Sequence, residues 1–290
     1  MIRESNGHAG KNLLRPSPGA LLQSIEFHLS QSKWTSDDKA NNAQQLYYDA
    51  CETPTEKRKV ELIQRALELD PTNVDALLRA VMHSGAKGEE EIELLRKIVT
   101  VAEKKLGPKV FQELAGAFWG FIETRPYMRA RERLAEALRA SGQHEEAITE
   151  YQAMLKLNPG DNQGVRYSLL SSLLVLNRLE EVRELFKKYP EFEFHAAFAW
   201  GRVLERFLSA DMPGASKALT VARKQNRAME AYVTGKCRVS GSLPDAYSPG
   251  SIEEALCFAD GVRTAWEKHP TALKWVESQQ KNKPTSGRTL

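Results

Sequence analysis

A period of 35 residues constrains this chain more than any other feature. Leu134, Ala135, Leu138, Ala147, Tyr151 and Met154, each advanced by 35, land on Leu169, Leu170, Leu173, Val182, Phe186 and Tyr189, all apolar or aromatic. Gly142 maps onto Asn177 in the same shift. Glycine and asparagine are the residues that best tolerate the left-handed backbone that ends a helix. A third copy follows at a spacing of 33, with Ala215, Leu219 and Ala222 on its second helix and Trp200, Val203, Leu204 and Phe207 on its first. A weaker copy stands 88 residues upstream of the first, around Leu46, Val60, Ile63, Ala66, Leu67 and Asp70-Pro71. It departs from the pattern at Tyr47 and Lys59, where small residues are expected. Repetition at this length means one supersecondary unit that cannot bury its apolar side alone and does so against its neighbours.

The unit is a helix pair. Val60, Ile63, Ala66 and Leu67 are spaced three and four apart and share one helix side, and Asp70-Pro71 ends the helix because proline disfavours helical geometry in the residue before it. Thr53-Pro54-Thr55-Glu56 predicts a capped start at Thr53, and Thr72-Asn73-Val74-Asp75 a second start directly afterwards. Ile92, Leu95, Ile98, Val99 and Ala102 predict a long helix that stops near Gly107-Pro108. Val110, Phe111, Leu114, Phe118 and Phe121 predict another that stops before Pro126. Asn226-Arg227 closes the third copy without a proline, so its second helix is expected to run on. Ser251-Ile252-Glu253-Glu254 caps a late helix that carries Ala255, Phe258, Val262 and Trp266. Only residues 1 to 17 and the Gly/Pro-interrupted stretch from Lys236 to Gly250 break the succession of short connections.

Leu134 to Pro159 resembles the tetratricopeptide repeat, with small or medium apolar groups where two helices cross, a glycine turn between them, and Asn158-Pro159 after the second. The resemblance implies an all-α, right-handed α-solenoid of antiparallel helix pairs. The expected organisation is a flexible N-terminus (1–17), degenerate helical repeats (18–125), tetratricopeptide-like repeats (126–226), a helical cap with the Gly/Pro loop (227–278) and a disordered tail (279–290). From Asn162 to Val276, the run Tyr167-Ser168-Leu169-Leu170-Ser171-Ser172-Leu173-Leu174, then Leu185-Phe186-Lys187-Lys188-Tyr189, Tyr232, the Pro244–Gly250 loop and Ser251-Ile252-Glu253-Glu254-Ala255 resemble the suppression-of-tumorigenicity-seven protein family. That likeness implies a helical repeat protein without established catalysis. Its membrane-spanning relatives differ from this chain, whose longest uncharged stretch, Tyr167 to Asn177, is far short of a membrane span.

Chemistry leaves few traces. Gly10-Lys11 is followed by Asn12, and Ser5 stands where a phosphate-binding loop has its first glycine. The histidines are scattered and the three cysteines form no C-x-x-C pair, so neither metal, cofactor nor disulfide is expected, and a reducing cytoplasm fits. No G-x-S-x-G elbow presents a nucleophile. With 41 basic against 38 acidic residues the surface carries no global pull toward nucleic acid or membrane. The excess sits in the tail, at Lys281, Lys283 and Arg288 among others, which keeps a nucleic-acid-associated regulatory role as the alternative. The leading expectation is a non-enzymatic adaptor or scaffold that binds a peptide or partner helix. In the resembling family the first helix of each pair lines a concave groove; here that places Arg129, Arg133, Arg166, Tyr167, Ser171 and Trp200 as contact residues. Arginine and aromatic side chains are the types that dominate binding energies. The Lys236–Gly250 loop is the second candidate.

Overall fold

A computed structural model describes residues 16–31, 34–190, 194–239 and 243–281. Most of the expected flexible N-terminus and disordered tail, the Gly10-Lys11 segment, Lys283 and Arg288 lie outside the described residues. So does the middle of the Gly/Pro loop. Among the described residues there are fourteen α-helices, two 3-10 turns and no strand. The chain divides between Ser141 and Gly142 into two compact units.

The first unit contains α1 (Pro18–Ser30), α2 (Asp37–Glu52), α3 (Glu56–Leu69), α4 (Val74–Ser84), α5 (Glu89–Glu113), 3-10 turns at Phe118–Gly120 and Ile122–Thr124, and α6 (Arg125–Ala140). Helix α2 packs along α3, while α5 is bordered by α1, α4 and α6. The three-and-four spacing of Ile92, Leu95, Ile98, Val99 and Ala102 turns one side of α5 inward, and all five are buried. The predicted starts need small corrections. Helix α3 is capped by Thr55 rather than Thr53, which instead ends α2. Asn73, not Thr72, caps α4, its Oδ1 accepting from the Ala76 amide at 2.9 Å.

Between 103 and 126 the correction is larger. Gly107 sits at φ 72°, ψ 161° and kinks α5 just before Pro108, but the chain resumes helix only to Glu113. Gly116, at φ 89°, then breaks it, and the two 3-10 turns follow. Phe118 is fully buried against the Phe111 and Tyr127 rings, with centroids 5.2 and 6.0 Å away, and those two rings also meet each other at 5.1 Å. Its apolar character belongs to this aromatic plug, not to a helix stripe. Pro126 opens α6 instead of following a helix, since the first turn has no use for its missing amide hydrogen.

The second unit contains α7 (His144–Leu157), α8 (Val165–Val175), α9 (Leu179–Lys188), α10 (Ala196–Leu208), α11 (Met212–Gln225), α12 (Met229–Val233), α13 (Ile252–Glu267) and α14 (Pro270–Lys281). Helix α7 packs on α8, α8 on α9 and α10 on α11, the succession the period demands. Asn177 has φ 57° and Gly142 φ 79°, so both matched turn residues occupy the left-handed region. Helix α11 does not run on. Asn226 ends it, and its Oδ1 accepts from the Ala228 and Met229 amides at 3.0 and 3.1 Å, starting α12. Ser251 caps α13 as expected, its Oγ accepting from the Glu254 amide at 3.1 Å. Helix α13 then lies against both α8 and α10. The sequence period contains no hint of that placement.

Candidate functional site

In the first unit, Arg129 sits one turn into α6 and reaches Asp75 at the start of α4. Its Nε and Nη2 donate to the two carboxylate oxygens at 2.8 and 2.7 Å, and Gln44 from α2 donates to the same group at 3.0 Å. The Asp75 side chain is only 1% exposed, so this bidentate pair ties α2, α4 and α6 together. Arg133, one turn further along α6, is exposed and pairs with Glu91 at 3.2 Å. Of the two expected contact residues here, Arg129 is chiefly structural and Arg133 faces solvent.

In the second unit three of the expected contact residues meet the chain's own α13. Ser171 on α8 donates to the Gly261 carbonyl of α13 at 2.6 Å, Tyr167 meets Phe258 of α13 at 4.8 Å between ring centroids, and Trp200 of α10 meets Trp266 at 5.7 Å. Ser171 and Trp200 are buried. The first-helix face of these repeats is therefore covered by the chain's own α13, and Ser171 and Trp200 are not available to a ligand. Tyr167 is half-buried and stacks on His195 at 4.0 Å. Arg166 donates through Nε to Asp161 at 2.7 Å, and its guanidinium lies 4.7 Å from the Tyr189 ring.

The Gly/Pro loop helps to fasten α13. Glu254, fully buried, accepts from the Ala196 amide at 2.9 Å, Asn226 Nδ2 at 2.9 Å and the Gly250 amide at 2.7 Å. His195 accepts the Ala197 amide on Nδ1 at 3.2 Å, which leaves the proton on Nε2, facing Tyr247 at 3.4 Å. The other end of the loop, at Cys237 and Arg238, borders a polar cleft of 470 Å³ opposite Asp260 and Arg263 of α13. Among the described residues no group of three or more His, Cys, Asp or Glu is placed to hold a metal ion. No described helix is long and apolar enough to cross a membrane.

Two further recesses occur at equivalent positions of successive repeats. One, of 280 Å³, is floored by Leu169 and Leu173 of α8 and edged by Glu181, Glu184, Leu185 and Lys188 of α9. The other, of 420 Å³, has Arg202 and Arg206 of α10 and Gly214, Lys217, Ala218 and Val221 of α11. Each residue of the second named here stands 33 positions after one of the first, so the period itself builds the recess and the sequence changes its lining from leucine to arginine. Arg202, Arg206 and Lys217 belong to no catalytic motif; their signal in the sequence is the change of residue type between the aligned copies at those columns.

A tetratricopeptide-repeat family model matches residues 128–169. The chain thus carries a tetratricopeptide repeat, running from α6 through α7 into the start of α8. No curated protein matches the chain. The tetratricopeptide match starts at Met128 in the first turn of α6 and contains Gly142, the turn glycine from which the period was read. Tetratricopeptide repeats generally mediate contacts between proteins, and a fold of this type is a platform whose function lies in the side chains it displays.

Proposed function

We propose that this chain is a non-enzymatic protein-interaction module, an adaptor or scaffold whose partner is a protein segment. The observation that carries the proposal is the tetratricopeptide match over residues 128–169. The finer features expected from the sequence belong to the same proposal: antiparallel pairs succeeding one another in a right-handed sense within each unit, and action in the cytoplasm. The likeness of residues 162–276 to the suppression-of-tumorigenicity-seven family fits it as well. In the first unit Arg133 and the solvent-facing edge of Arg129 are the proposed contacts. In the second, the half-buried Arg166 and Tyr167 remain, while Ser171 and Trp200 support them from within the fold.

The test is capture on the immobilised full chain from a cell extract, with mass spectrometry of what is retained against an unrelated helical protein as control. Reproducible retention of a defined set of proteins is expected. Retention no different from the control at several ionic strengths would overturn the proposal.

A further inference from the structure

We propose that the arginine-lined recess between α10 and α11 is a docking site for the carboxylates of an acidic segment of a partner protein. The inference rests on the protein-interaction proposal and names the chemistry of the partner.

Geometry leaves this face open. At about 100° per helical residue, Ala197, Trp200 and Gly201 form one side of α10, and Ala199, Arg202 and Arg206 lie roughly half a turn away. The first side is the one that meets α13 and the residues around Trp266. The second lines the 420 Å³ recess. Helix α13 therefore fills one face of the repeat and leaves the other to solvent.

Charge then selects the occupant. In the preceding copy the columns of Arg202 and Arg206 hold Leu169 and Leu173, both buried, and the columns of Gly214 and Lys217 hold Glu181 and Glu184. Two apolar positions have become cationic, one acidic position has become basic and another neutral, while one basic position, Lys188, has become Val221. Beneath the arginines lies Glu205, whose side chain is 1% exposed and which accepts from Arg183 at 2.8 Å, Arg202 at 3.2 Å and Ser209 at 3.2 Å, with Arg206 at 3.5 Å. Asp211 takes a second nitrogen of Arg206 at 2.9 Å. Three arginines thus meet at one buried carboxylate, Arg183 pairing also with Glu180 and Arg206 with Asp211, and the recess wall adds the exposed Lys217, with Asp211 as the one carboxylate among the recess-lining residues.

The network is partly open to solvent, since Arg206 keeps 43% of its side chain exposed. Arg202 lies 4.1 Å from the Phe186 ring, which fixes its plane and holds it at the recess. Burial moves the Arg202 pKa below the usual guanidinium range; Glu205 opposes the shift, and the neighbouring charges of Arg206 and Arg183 add to it. An incoming carboxylate would relieve that crowding, and planar guanidinium groups suit it geometrically.

The experiment is fluorescence anisotropy of the full chain with a labelled peptide of glutamate and leucine, beside the same peptide with glutamine for glutamate and a labelled single-stranded oligonucleotide. Two variants are compared with the wild type, Lys217→Glu at an exposed position and Arg206→Gln, each checked for folding by circular dichroism. The glutamate peptide is expected to bind at low salt, to weaken as salt rises, and to lose about tenfold in affinity in Lys217→Glu. The glutamine peptide is expected not to bind. No binding of the glutamate peptide at low salt, or equal binding by wild type and Lys217→Glu, would overturn the site. Oligonucleotide binding that displaces the peptide and depends on Lys217 would overturn the protein-segment assignment. Capture from extract separates the two levels: a partner set retained equally by wild type and Lys217→Glu removes this recess but leaves the interaction module standing, whereas no partner set removes both.

Discussion

Glu254 has no exposed surface and is held by three neutral donors, the amides of Ala196 and Gly250 and the side chain of Asn226, so one carboxylate fixes the starts of α10 and α13 and the end of α11. His195 stands beside it as the cap of α10, stacked on Tyr167 and edge-on to Phe258. Burial pulls the His195 pKa down from 6.5 to about 4, with Glu254 opposing and Arg166 adding to the shift. In the unfolded chain the imidazole takes a proton as pH falls through 6.5, whereas in the folded chain it does so only near 4. Its contribution to stability is therefore complete above pH 6.5 and is lost as pH falls toward 4, a loss of about 3 kcal/mol. His195→Asn keeps an acceptor at the cap and removes the titration. Urea unfolding of both proteins from neutral pH to about pH 4.5 should give a shallower fall for the variant, and parallel curves would refute the assignment. Glycine 214 supplies a second prediction. A Cβ there would lie 2.1 Å from the Asp211 carboxylate that caps α11, so Gly214→Ala displaces the cap and should cost about 1 kcal/mol in the same measurement, with an unchanged midpoint as the contrary result.

Between elements, the close crossing of α8 and α10 has one decisive position. A Cβ on Gly201 would come within 2.7 Å of Leu170 Cδ2, so Gly201→Ala requires Leu170 to move in a packed interior. The expected cost is about 1–3 kcal/mol. Leu170→Ala in the same chain should recover part of it, so a double-mutant cycle by thermal unfolding is expected to show a favourable coupling, and simple additivity would contradict the contact. The same helices show what sequence makes legible. Where periodicity and caps carried the information, as for the buried side of α5, the turn residues Gly142 and Asn177, or the Ser251 cap, the elements follow it, because local propensity and burial agree. Where an apolar residue serves a long-range contact, periodicity misleads. Phe118 looks like part of a helix stripe and is an aromatic plug, and Asn226 lacks the expected proline yet ends α11 because its side chain is engaged in starting α12 and in holding Glu254.

At the scale of the whole chain the candidate site was legible only in part, for a related reason. The expected contact residues follow from which helix of each pair is taken to line the groove; in the structure Ser171 and Trp200 are buried and Tyr167 is half-buried. What they meet is α13, a segment outside the period whose docking depends on contacts such as Ser171 with Gly261 that no spacing announces. The arginine recess was present in the aligned columns all along, as Arg202 and Arg206 against Leu169 and Leu173. In each unit, burial gathers a core of its own, around Ile98 and Met128 in the first and Trp200 and Trp266 in the second. Stability in stacked helix arrays is local, so a lesion should be felt chiefly in the unit that contains it. Arg129→Met leaves the Asp75 carboxylate buried, with Gln44 of α2 still donating to it, a change of about 3–5 kcal/mol. Amide hydrogen exchange on the full chain should then quicken by about a hundredfold in α4 to α6 while α8, α10 and α13 change little, and Gly201→Ala should give the reverse pattern with a smaller amplitude. Uniform acceleration throughout the chain in either variant would mean that the two cores unfold as one, and the local account of this repeat array would have to be abandoned.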